Sequence, residues 1–169
     1  MDNLETDRAM LRRLKFGDYR WMRLLETDPE IMIMTPLKVV QTDEQTMKRF
    51  LDHIEKQKLF RPYGYWVAEF KMHPTFIGWF MLIPTENNRL ELGFMILREH
   101  WGIGLATEIA SALTAFVKSE KEIKIIKAQI KSNNISSIKV LQKLGFSEID
   151  NVLPSREVSI IGELKCYEF

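Results

Sequence analysis

Several things are scarce in this sequence, and each scarcity closes off a class of function. Cysteine occurs once, as Cys166, so no intrachain disulfide can form and the chain suits a reducing cytoplasm. Neither sign of charge dominates: 24 Lys and Arg against 23 Asp and Glu leave a formal net charge of +1. That balance offers no basic footprint for a nucleic acid and no polybasic anchor for a membrane. No apolar run approaches the ~20 residues of a membrane span. The opening MDNLETDRAMLRRL carries too many charges for a signal peptide. Fixed-period repeats and low-complexity tracts are missing too. His53, His73 and His100 share no ligand spacing with one another or with Cys166, so no metal site is expected.

What is present is 169 residues with 46% hydrophobic content, enough for one globular domain spanning 1–169 with a sizeable core. Residues 9–14 carry a faint strand signal. Residues 18–34 read as a helix whose apolar face holds Trp21, Met22, Leu24 and Leu25, with Pro36 closing the region. The run IMIM at 31–34 sits at helical spacing and reads as core rather than as a ligand-binding methionine patch. A second helix is predicted over 42–57, capped by Thr42 or Asp43. Aromatic and branched residues then take over. YWVAEF (65–70) and TFIGWFMLI (75–83) read as an antiparallel hairpin broken at Pro74. PTENNR (84–89) is the next turn, and 90–97 is a third strand.

After Gly104, Ala106, Ile109, Ala110, Leu113, Phe116 and Val117 follow helical spacing. Residues 124–131 alternate as a strand, 134–144 form a short helix stopped by Gly145, and two short strands at 146–153 and 164–169 close the chain. The pattern is an antiparallel meander running into a β-α-β unit with parallel flanking strands, an α/β or α+β mixed sheet.

The informative junction is WGIGLAT, Trp101 to Thr107, between the most strand-like segment and the cleanest helix. Glycine permits a sharp turn and a close ligand approach. The following helix start offers unpaired N–H groups and the positive end of a dipole. The stretch is either an ordinary tight turn or an anion site, most naturally for phosphate. It is not a P-loop, because Leu105 and Ala106 follow Gly104 instead of Lys-Ser/Thr. It lacks the third small residue of a dinucleotide fingerprint, since Thr107 occupies that position.

WGIGLATE resembles the acyl-CoA pyrophosphate loop of the GNAT superfamily of N-acyltransferases, whose pattern is Gln/Arg-x-x-Gly-x-Gly/Ala. Gly104 and Ala106 take the last two fixed positions. Trp101 departs from Gln/Arg in the way familiar from the branch of ribosomal-protein N-terminal (Rim-type) acetyltransferases. NISSIKVLQKLGF, Asn134 to Phe146, resembles that branch's Asn-x-x-Ser-x-x-Val-Leu-x-x-x-Gly-Phe, and LETDRAMLRRL looks like its opening strand.

The resemblance implies a GNAT fold using acetyl-CoA as cosubstrate. Backbone groups of Gly102, Ile103, Gly104, Leu105, Ala106 and Thr107 would cradle the pyrophosphate. Met95 and Ile96 would pair with the pantetheine arm in a slot opened by divergence from Ile126–Ile130. Asn134 would touch CoA, which is compatible with its being the helix N-cap. Many GNAT enzymes carry a tyrosine acid where this chain has Leu141, so Ser137 is the candidate acid; the alternative is an ordinary helix serine. Glu91 interrupts an apolar strand and is either half of a salt bridge, with Arg89 or a neighbouring strand, or the base that takes the amine proton. Glu157 is a second, weaker candidate base, and His100 is expected at the surface. The implied acceptor is an amine, a protein or peptide N-terminus in the Rim-type reading. The rivals are a small-molecule amine such as a polyamine or antibiotic, and a non-catalytic CoA-binding module.

Overall fold

The computed structural model of the chain describes residues 3–119, 123, 125–149 and 159–165. Eight strands form one sheet in the order β1-β2-β3-β4-β5-β6-β8-β7. They are β1 (Asn3–Glu5), β2 (Ala9–Arg13), β3 (Gly64–Phe70), β4 (Phe76–Thr85), β5 (Arg89–Ile96), β6 (Ile125–Lys131), β7 (Ser147–Ile149) and β8 (Ser159–Lys165). All neighbours are antiparallel except β5 and β6, the two strands of the expected β-α-β unit. The helices are α1 (Tyr19–Glu26), α2 (Pro29–Met32), α3 (Asp43–Leu59), α4 (Leu105–Lys118) and α5 (Ile135–Lys143). None of the described helices is long and apolar enough to cross a membrane.

The period-2 pattern of the strands divides the core in two. On β5, Leu90, Leu92 and Ile96 face Leu105, Ile109, Leu113 and Val117 of α4. Met95 belongs to the other face, where Tyr65, Val67 and Trp79 pack under Met22 and Leu25 of α1 and Phe50 and Ile54 of α3. Buried ionic groups fasten the layers. Arg12 on β2 holds Asp18 with two bonds of 2.8 Å and Glu69 on β3 at 2.8 Å. Glu26 of α1, 1% exposed, accepts from Thr46 and Arg49 of α3.

Three expectations need correction. The helix predicted over 18–34 is two helices, because Pro29 cannot donate to a preceding carbonyl and Asp28 caps a fresh start. The Asp28 carboxylate accepts from the Glu30 and Ile31 amides at 2.9 and 3.3 Å. The IMIM run divides accordingly: Ile31 and Met32 are core, but Ile33 is 52% exposed. The last strand begins at Ser159, five residues earlier than expected, and pairs with the full length of β6. The opening strand that the resemblance gives over 4–14 is two antiparallel strands, β1 and β2, joined by a turn at 6–8. Cys166 and Glu157 lie outside the described residues.

Candidate active site

β5 ends at Ile96, and a single 3-10 turn, Arg98–His100, leads into the glycine loop. Gly102 and Gly104 have φ of +76° and +86°. An L-residue in that left-handed region costs roughly 1–2 kcal/mol, so glycine is there for the backbone. Gly104 is the N-cap of α4 and supplies no side-chain acceptor. The amides of the first turn, Leu105 to Thr107, therefore have no capping partner. A Cβ added at Gly102 would meet nothing within 4 Å, whereas one at Gly104 would lie 3.5 Å from the Arg8 guanidinium. Trp101 anchors the loop: its indole N–H donates to the Ile96 carbonyl at 2.8 Å.

Beside the loop, β5 and β6 part. They pair only at Arg89–Ile125, Leu90–Ile126 and Glu91–Lys127, after which β6 pairs with β8 alone. The Leu97 amide donates to the Ile77 carbonyl at 3.0 Å. By the alternation of an antiparallel ladder, Met95 also bonds to β4 while Phe94 and Ile96 turn their backbone groups to the open side. The slot thus presents the backbone groups of Phe94 and the Ile96 amide beside the uncapped start of α4. The Ile96 carbonyl is taken by the Trp101 indole, and the Met95 backbone, expected on the pantetheine arm, is turned to β4.

A cavity of about 480 Å³ occupies this junction. Its walls are the loop and first turn of α4 (Gly102, Gly104, Leu105, Ala106, Thr107), the end of β5 (Phe94, Met95, Ile96) and one face of α5. Ile31, Met34 and Thr35, at and beyond the end of α2, close the fourth side. Asn134 caps α5, its side-chain oxygen accepting from the Ser137 amide at 3.1 Å, and both residues line the cavity. Leu141, where a tyrosine was considered, is 4% exposed and belongs to the core under α4.

Two predicted residues stand apart. Ile103 does not line the cavity; its side chain is 51% exposed and its carbonyl accepts from Arg8 at 2.9 Å. Glu91 is also outside the lining, half-buried on β5 opposite Lys127. Burial pushes its carboxyl above the ordinary carboxylate value, against a smaller pull from Lys127. His100, expected at the surface, lines the cavity instead, its ring edge-on to Phe70 and its Nε2 3.3 Å from the Phe76 carbonyl. Sequence reasoning missed Ser136, Lys139, Val140 and Lys143. Their spacing of three, four and seven along α5 was the available signal for one shared face. Lys139 and Lys143 place positive charge near the glycine loop.

Residues 8–147 match the sequence model of the acetyltransferase (GNAT) domain. An uncharacterized N-acetyltransferase, p20, of Bacillus licheniformis is 29% identical over 153 residues, covering 88% of this chain and 84% of that one. An acetyltransferase from Agrobacterium tumefaciens superposes with a TM-score of 0.82 at 19% identity, over 97% of this chain and 94% of that one. The ribosomal L7/L12 α-N-protein acetyltransferase RimL, solved with coenzyme A, gives a TM-score of 0.77 at 13% identity and 96% coverage of both chains. A spermidine N-acetyltransferase from Vibrio cholerae, solved with CoA and spermine, gives 0.72 at 17% identity, over 93% and 95%.

Proposed function

The chain belongs to the GNAT family of acetyl-CoA-dependent N-acetyltransferases, and we propose that it acetylates the α-amino group of a protein or peptide N-terminus, as the Rim-type branch does. The observation that carries the site assignment is the parting of β5 from β6 beside an uncapped helix start. In this reading the amides of Gly102 to Thr107, with Lys139 and Lys143, take the pyrophosphate-bearing end of CoA. The groups of this edge that remain open, those of Phe94 and the Ile96 amide, take the pantetheine arm as an added strand. Asn134 contacts CoA while capping α5.

The chemistry is one displacement. The amine nitrogen attacks the thioester carbonyl, a C–N bond forms, and backbone N–H groups at the end of β5 stabilise the oxyanion. The C–S bond breaks, and the departing thiolate takes a proton from the Ser137 hydroxyl, which regains one through water from the proton the amine gives up. The proton of the attacking amine passes through water to Glu91, four residues before Met95 on the same strand. Holding both reactants in one slot supplies much of the rate.

The acceptor assignment rests on proton supply. An α-amine, with pKa about 7.7–8.0, is substantially neutral near pH 7; a lysine amine at about 10.4 is neutral in roughly one molecule per thousand. A carboxylate set back from the cavity, acting through water, suits the less demanding amine. RimL among the neighbours is named for an α-N-protein acceptor, while the Vibrio cholerae enzyme is named for spermidine. The test is thiol release from acetyl-CoA with matched peptides, one with a free N-terminus and one blocked but carrying a single lysine, and with spermidine. Faster transfer to the free N-terminus is expected. Faster transfer to lysine or spermidine overturns the acceptor, and release with none of these amines points to a CoA-binding module.

A further inference from the structure

Two segments about a hundred residues apart meet behind the glycine loop. Thr6 and Arg8, from the turn between β1 and β2, converge on Glu108 in the first turns of α4. The Glu108 carboxylate accepts from the Thr6 hydroxyl at 2.5 Å, the Arg8 amide at 2.9 Å and the Arg8 Nε at 2.6 Å. The same guanidinium donates through Nη1 to the Ile103 carbonyl at 2.9 Å, and its Nη2 lies where a side chain on Gly104 would reach. Arg8 and Glu108 are both absent from the cavity lining. They hold the loop from outside the cavity lining.

This arrangement answers an electrostatic problem. A carboxylate in the first turns of α4 sits close to where a diphosphate would bind, and two anions at one helix start repel. Burial alone would raise the Glu108 carboxyl, but hydrogen bonds from Thr6 and from the amide and guanidinium of Arg8 outweigh it and hold the group below its ordinary value. Glu108 is thus a full anion at neutral pH, and Arg8 is the cation that balances it. A guanidinium suits the task because its planar fork serves a carboxylate and a loop carbonyl together.

We propose that Arg8 is a positioning residue for acetyl-CoA: placed between Glu108 and the Ile103 carbonyl, it neutralises the carboxylate that would otherwise repel the diphosphate. The inference rests on the loop being the CoA site. Since it concerns a residue that touches no reacting atom, its signature is confined to the nucleotide. In Arg8→Met, the KM for acetyl-CoA and the calorimetric Kd for CoA rise about tenfold, while kcat and the KM for the acceptor stay put.

A double variant separates this role from simple bracing. Arg8→Met removes the counter-charge and leaves Glu108 anionic; Arg8→Met with Glu108→Gln removes both charges. The proposal expects the double variant to recover most of the lost CoA affinity, and Glu108→Gln alone to bind CoA at least as well as the parent. If the double variant binds as weakly as Arg8→Met, or if Arg8→Met in a folded chain binds CoA like the parent, the proposal fails. Circular dichroism and melting of each variant establish that it is folded. Binding by the parent is read first: a parent that binds no CoA at all removes the site assignment itself, a different failure from an unaltered Arg8→Met. Arg8→Lys keeps the charge but not the fork, so intermediate affinity is expected; affinity as poor as Arg8→Met contradicts the charge argument.

Discussion

Ser137 shows how far one side chain can be argued. Its amide is engaged by Asn134, which fixes the first turn of α5, and its hydroxyl has no hydrogen-bond partner among the described residues. Alanine is a better helix former than serine, so Ser137→Ala keeps α5 intact. Turnover should therefore fall by about 10²-fold with CoA affinity nearly unchanged, the loss expected for a proton donor. Steady-state kinetics beside a CoA titration check it, and full turnover in the variant would leave Ser137 as a helix residue only. Asn134 and Ser137 were legible because cap and serine sit three residues apart in one segment. Arg8 and Glu108 were not, since nothing in the sequence couples residues a hundred positions apart until β2 is laid into the sheet and α4 is packed on it.

At the scale of elements, local chemistry was the readable part. Thr42 caps α3 and exchanges bonds with Gln45, a pattern visible in the sequence, and the hairpin of β3 and β4 stands where aromatic content placed it. What α3 packs against was not readable. His53 on α3 stacks on Tyr65 at 4.2 Å and Trp79 at 5.4 Å between ring centroids. Burial pushes the His53 imidazole down to about 4, with a smaller opposing effect of Asp52 and smaller reinforcing effects of Lys56 and Arg49. The sign follows from proton uptake. Between an unfolded value of about 6.5 and the folded value of about 4, the unfolded chain binds a proton that the folded chain does not. Stability is therefore lost as pH falls through that window. His53→Phe keeps a ring in the stack and removes the titration, so its melting temperature should decline less than the parent's between pH 6.5 and 4. Parallel declines would show that His53 does not carry the effect.

At the scale of the whole molecule, the fold class was legible because the meander and the β-α-β unit each leave a periodic trace. The parting of β5 and β6 leaves none: Leu90 and Ile96 read alike as buried strand residues, yet only the first has a partner on β6. That gap, the glycine loop at the start of α4 and the face of α5 belong to three segments, and only the assembled sheet brings them around one cavity. The site assignment depends on this assembly more than on any single side chain. It is tested most directly by calorimetric titration of CoA into the parent and into Gly104→Val, with circular dichroism to establish that the variant is folded. A valine at φ +86° strains the loop and drives a side chain toward Arg8. Saturable binding of CoA to the parent and at least tenfold weaker binding to the variant are expected. Equal affinity in the folded variant, or no binding to the parent, would contradict the placement of acetyl-CoA on this loop.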